Sequence, residues 1–178
     1  MLIADKFESQ TCIDKCFEPL VENLDVKTAC HVMELAHEFR HGPMFDLCLS
    51  YIEKNARWVL ERRDVTQLCV GCFKVVISSD ELAADEGVVF RALVRWGEGR
   101  CARQHVQPTK ANMREQLGEL RYHVRYIHMD IDTFEEHVQP SVVLTTAEKA
   151  EITKAILEGT ENTRITALFR KGPREPDI

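Results

Sequence analysis

No apolar run in this chain approaches the roughly 20 residues needed to cross a bilayer. The start, Met1-Leu2-Ile3-Ala4-Asp5-Lys6, lacks the long apolar core of a secretory leader. There is no basic cluster: 23 Lys and Arg stand against 29 Asp and Glu, a formal net charge of -6 and a poor electrostatic match for nucleic acid. Neither a membrane nor a nucleic acid is therefore expected as a partner. Gly-rich phosphate loops, internal repeats and low-complexity blocks are absent as well. What remains is a chain of 178 residues, 44% hydrophobic and 29% charged, enough for one sizeable core with the composition of a soluble globular protein.

The seven cysteines, Cys12, Cys16, Cys30, Cys48, Cys69, Cys72 and Cys101, are odd in number and fall mostly on apolar helix faces. They are expected as free thiols in a reducing compartment, cytoplasm or nucleus, where a thiol packs as a small hydrophobe.

Ser78 to Trp96 is the stretch around which the chain is organised. Ser78, Ser79 and Asp80 are helix-capping types, and Asp85 and Glu86 place negative charge where a helix start favours it. Val89, Leu93 and Trp96 then recur at four and three, with Phe90 and Val94 beside them. Gly97 and Gly99 are expected to end this helix and open a polar loop to Pro108 that exposes Arg100, Arg103 and His105.

Helices are expected on both sides of it. One runs from Glu8 or Ser9 to about Glu18, with Ile13, Cys16, Phe17 and Leu20 inward and Pro19 weakening its last turn. A second, about Val26 to His41, is capped by Asp25 and stopped by Gly42-Pro43, and a third covers about Met44 to Asn55. Asp64 with Gln67, Thr133 with Glu136, and Thr145 with Glu148 have capping-box form, and Thr109 caps a helix carrying Met113, Leu117 and Leu120. Phe73 to Ile77 suits a strand, but no partner strand is visible, so it reads as a buried helix segment or turn. The expectation is an all-α fold, an array of short antiparallel helical pairs. Glu86 and Arg125 flank apolar faces; if buried, each needs a partner, and Glu86 or Asp80 is expected to pair with Arg125.

Two strings resemble reactive sites. His37-Glu38-Phe39-Arg40-His41 has the HExxH form of zinc peptidases, two metal-binding His one turn apart with Glu as base. Against a zinc-dependent hydrolase, Gly42-Pro43 follows the second His at once, and no strand lines a cleft. Cys69-Val70-Gly71-Cys72 is a lone Cys-x-x-Cys, where a zinc ribbon needs two such pairs. Core packing is the expectation for its thiols. No catalytic residue, metal or cofactor is assigned.

A family resemblance runs through residues 1 to 158. Leu2 to Phe7 with Cys16 resemble the last helices of a BTB domain entering its BACK domain. Asn23, Ala36, Phe39, Cys48, Ile52 and Asn55-Ala56 match the family's first helical pairs. The signature positions are Asp80-Glu81-Leu82, Glu86, Val89-Phe90, Ala92, Trp96 and Val124-Arg125-Tyr126, with Val138-Gln139-Pro140-Ser141 beyond them. The resemblance implies a division into a BTB remnant over 1–11, a BACK-like helical domain over 12–158 and a partly disordered tail over 159–178. No BTB fold and no Kelch repeats are recognised, leaving a fragment of a larger adaptor or a natural truncation.

The resemblance further implies a non-catalytic interaction and spacer module of an adaptor for a cullin-based ubiquitin ligase. In that family the first helical pair after the BTB fold adds an apolar groove for a cullin scaffold protein. Here the residues to line it are Phe17, Leu20, Val32 and Phe39, with simple core packing as the competing reading. Cullin binding is expected to be weak without the BTB fold, and the substrate protein is open. The alternatives are the hydrolase built on His37, Glu38 and His41, and an oligomerising scaffold unrelated to ubiquitin.

Overall fold

The structure, a computed structural model, describes residues 2–159 and Arg174, with side chains from Cys12 onward. Among the described residues every regular element is helical. The chain runs through α1 (Leu2–Glu22), α2 (Ala29–Glu38), α3 (Gly42–Lys54) and α4 (Ala56–Leu60) to a 3-10 turn over Arg63–Gln67. Then come α5 (Val70–Ser78), α6 (Glu86–Arg103) and α7 (Lys110–Leu117), two 3-10 turns over Gly118–His123 and Tyr126–His128, α8 (Ile131–Thr133), a π-helical turn over Phe134–Val138, and α9 (Thr146–Glu158). Of the remnant expected over 1–11, the backbone from Leu2 belongs to one unbroken α1, and the side chains lie outside the described residues.

As the spacing predicts, α6 organises the core. Val89, Leu93 and Trp96 are fully buried on it, Trp96 lies against Phe73 of α5, and Phe90 meets Tyr126 edge-on at 5.9 Å. One continuous apolar cluster extends from Phe17 to Ile152. Phe73 to Ile77 is helical and buries Phe73, Val76 and Ile77. Short connections fold neighbouring helices back on each other, most closely α2 on α3.

Several boundaries move, each for a local reason. The Asn23 amide donates to the Pro19 carbonyl at 2.7 Å, capping α1 at Glu22 despite the internal proline. Asp25 accepts from the amides of Lys27 and Thr28 at 2.8 and 2.9 Å, which holds those residues in a turn and delays α2 to Ala29. Asp85 rather than Ser78, Ser79 or Asp80 caps α6, accepting from the Val88 amide at 2.8 Å. Ser79 instead donates to Glu53, and Asp80 meets Arg125.

Gly97 and Gly99 do not end α6. A Cβ on Gly97 would come within 2.9 Å of the tips of Met113 and Leu117, and one on Gly99 within 2.9 Å of Thr66 Cβ. These glycines permit close packing of α7 and the Arg63–Gln67 turn, and α6 continues to Arg103. Arg100 is thus half-buried over the Trp96 ring, not exposed in a loop.

Of the three capping boxes only Thr145 with Glu148 forms, and Gly159 closes α9 at φ 61°. Asp64 is drawn to Arg62 Nε at 2.7 Å, and Asp130 caps α8 in place of Thr133.

Candidate functional site

The apolar stripe of α1 makes a groove with α2. Its cavity, about 290 Å³, is lined by Cys12, Ile13, Cys16, Phe17 and Leu20 from α1, by Leu35 from α2 and by Phe39 just past its end. Phe39 is 52% exposed and Leu20 partly so, while Phe17 is 5% exposed and belongs as much to the core as to the groove floor. Val32 does not line it: at 2% exposure it is part of the core. Phe39 follows the last residue of α2 as its C-cap, whereas Val32 sits within the helix, buried in the core.

The HExxH string does not form a metal-binding helix. α2 ends at Glu38, and Arg40 takes the left-handed region at φ 54°. The His41 amide then donates to the Ala36 carbonyl at 2.8 Å and the Arg40 amide to His37 at 3.2 Å, the paired bonds of a Schellman ending. His41 is the N-cap of α3 instead. Its Nδ1 accepts from the Met44 amide at 3.0 Å, and its Nε2 lies 3.0 Å from Asp14 Oδ1. Gly42-Pro43 forms the first turn of α3, where proline suits a helix start.

His37 turns toward different neighbours. Glu34, three residues back on α2, faces the start of α5, where its Oε1 accepts from the Cys69 amide at 2.6 Å. Cys69 Sγ lies 3.8 Å from His37 Nδ1 and accepts from the Cys72 amide at 3.4 Å. As expected of core thiols, Cys72 is fully buried and the half-buried Cys69 packs against the core, yet both also meet polar neighbours. Glu34 was invisible to motif reading because neither string contains it. Burial pushes the Cys72 thiol well above its ordinary range, helped by hydrogen bonds with Glu34 and Cys69. Burial alone raises Cys48 to about 11, and chiefly burial raises Cys30 to about 12.

The signature residues of the middle of the chain hold the fold together. The buried Glu86 carboxylate accepts from the Arg125 amide at 2.9 Å, and the Arg125 guanidinium pairs with Asp80. Leu82 is fully buried, and Glu81 is exposed beside it. Arg174 completes the cluster, donating from Nε to Glu86 Oε1 at 2.6 Å and from Nη2 to the Ile77 carbonyl at 3.0 Å. Arg174 lies in the tail expected to be partly disordered, and its side chain is 4% exposed; apart from Gly159, the rest of that segment lies outside the described residues.

The helical fold agrees with the comparisons to known proteins. The family model for BACK, "BTB And C-terminal Kelch", matches residues 29–139, and the chain belongs to this family. "BTB/POZ domain-containing protein 6" of Xenopus tropicalis and of Homo sapiens are each 26% identical over 149 residues, 84% of this chain and 28% of the relative. "BTB/POZ domain-containing protein 3" of Homo sapiens is 28% identical over 137 residues, 77% of this chain and 26% of the relative. The chain thus spans little more than a quarter of the length of these relatives. No solved structure matches it. The matched segment begins at the first residue of α2, so one wall of the groove, α1, precedes it.

Proposed function

We propose that the chain is a non-catalytic helical interaction module of a BTB/BACK-type adaptor. In this reading the groove between α1 and α2 receives an apolar segment of a cullin scaffold protein, and the helices beyond it act as a spacer toward a substrate-binding region. The observation that carries it is the exposed Phe39 ring beside Leu20, over a floor made by Phe17. An aromatic at the rim of a preformed apolar cleft is the kind of anchor that peptide and helix partners use. The proposed setting is the cytoplasm or nucleus, where the free thiols stay reduced.

Calorimetry of this chain with a purified cullin N-terminal domain tests the reading. Phe39→Ala is the informative variant, because it removes groove surface without opening the core as Phe17→Ala would. Micromolar binding is expected, weakened about tenfold by Phe39→Ala and unchanged by Leu157→Ala, which removes an exposed leucine on α9. An absence of binding, or equal binding by the Phe39→Ala variant, would sink the cullin assignment.

A further inference from the structure

The Cys69-x-x-Cys72 pair does not stand alone in space. Glu34 and His37 lie three residues apart on α2 and so project from neighbouring positions on one face. Cys69 is the N-cap of α5, and Cys72 sits in its first turn. One ligand atom from each of the four, a Glu34 carboxylate oxygen, a His37 ring nitrogen and the two Sγ atoms, all lie within 4.8 Å of one another.

We propose that Glu34, His37, Cys69 and Cys72 form a structural zinc site that clamps α2 to the start of α5. Ligand atoms at zinc bond lengths of about 2.0–2.3 Å stand roughly 3.3–3.8 Å apart on a tetrahedron. The Cys69 Sγ to His37 Nδ1 distance of 3.8 Å is already at that scale. The four ligand atoms, all within 4.8 Å of one another, have on the order of 1 Å to close.

The chemistry of the donors selects the ion. Two thiolates and an imidazole favour zinc over magnesium or calcium, which take oxygen ligands. Two thiolates, a carboxylate and a neutral imidazole leave the complex with one net negative charge. The start of α5 offsets it, since the helix dipole favours an anion there and the Cys72 amide already donates to Cys69 Sγ. Zinc enters as the dication, both thiols lose their protons to solvent, and no electron is transferred. With four protein ligands the ion has no open position for substrate, so the site braces the fold.

This site is distinct from the HExxH reading, although both use His37. The ring nitrogens of His41 already meet Asp14 and the Met44 amide, and His41 is not in the cluster. It is also independent of the groove, because it requires no partner protein.

The full chain, prepared reduced and without added histidines, is assayed for zinc by mass spectrometry and titrated with cobalt(II). The expected result is one metal per chain, with tetrahedral cobalt bands and a thiolate-to-cobalt charge-transfer band. Cys69→Ser and Glu34→Gln should weaken cobalt binding at least tenfold, Cys72→Ser should abolish the charge-transfer signature of a thiolate pair, and His41→Ala should bind as wild type. Cys72 is buried, so circular dichroism of each variant accompanies the titration. The wild-type spectrum and the half-buried Cys69→Ser variant decide the matter if Cys72→Ser does not fold. No charge-transfer band in reduced wild-type protein overturns the proposal. So does a Cys69–Cys72 disulfide whose reduced form takes up no metal, or binding lost in His41→Ala and kept in Cys69→Ser.

Discussion

The rings of Phe73 and Trp96 lie face to face, their centroids 5.0 Å apart and their planes 4° from parallel. The Trp96 indole N–H donates to the Leu68 carbonyl at 2.8 Å. One side chain therefore joins α6 to α5 and to the turn before it, with its polar atom satisfied in a buried site.

Trp96→Ala is expected to cost about 3–5 kcal/mol of stability, as large aromatic deletions in cores do. Trp96→Phe retains an aromatic face against Phe73 but leaves the Leu68 carbonyl without its donor, at about 1–3 kcal/mol. Urea titration checks both. The only other tryptophan, Trp58, is 63% exposed, so acrylamide should quench it and spare Trp96. Equal quenching of both would contradict the packing around α6.

The two α6 glycines should respond differently to alanine. At Gly97 the new Cβ meets the flexible side-chain ends of Met113 and Leu117, reaching Leu117 Cγ at 3.2 Å, and helix propensity returns about 1 kcal/mol. The net change there is expected to be small. At Gly99 it meets Thr66 Cβ, next to the backbone, and overpacking costs about 1–3 kcal/mol. Melting curves of Gly97→Ala and Gly99→Ala side by side give the order, and a reversed order would show that α7 rather than the Arg63–Gln67 turn sets the limit.

Thr145 and Glu148 close α9 reciprocally. The Glu148 amide donates to Thr145 Oγ1 at 3.1 Å, and the Thr145 amide donates to Glu148 Oε2 at 2.6 Å. The same Oε2 lies 3.2 Å from Arg114 Nη2, which links α9 to α7. Thr145→Ala should cost about 1 kcal/mol, the usual loss of an N-cap. Glu148→Ala should cost more than Thr145→Ala, since it removes the second half of the box and the Arg114 contact. A double-mutant cycle of Glu148 with Arg114 measures that second part, and zero coupling would assign the whole effect to the cap.

Local patterns were enough for much of this fold. The three-and-four spacing of Val89, Leu93 and Trp96 marks α6 because burial on one helical face demands that repeat. Thr109, and Thr145 with Glu148, are legible as helix starts because donor and acceptor lie within four residues of each other. The groove was partly legible: Phe17, Leu20 and Phe39 line it, but Val32 is buried in the core, and α2 ends before Phe39 where a helix drawn from Val26 to His41 did not.

By itself, then, the sequence determined the all-α class, the central helix and the family resemblance, because periodicity and capping act over a single turn. Tertiary structure alone decided why Gly99 stays inside α6, what meets the buried Glu86, and which residues gather around Glu34 and His37. Each of those depends on a neighbour brought from a distant part of the chain: Thr66 against Gly99, Arg174 against Glu86, Cys69 against His37. A residue's type shows what it can bind, but only packing brings it within reach of a partner that is remote in sequence.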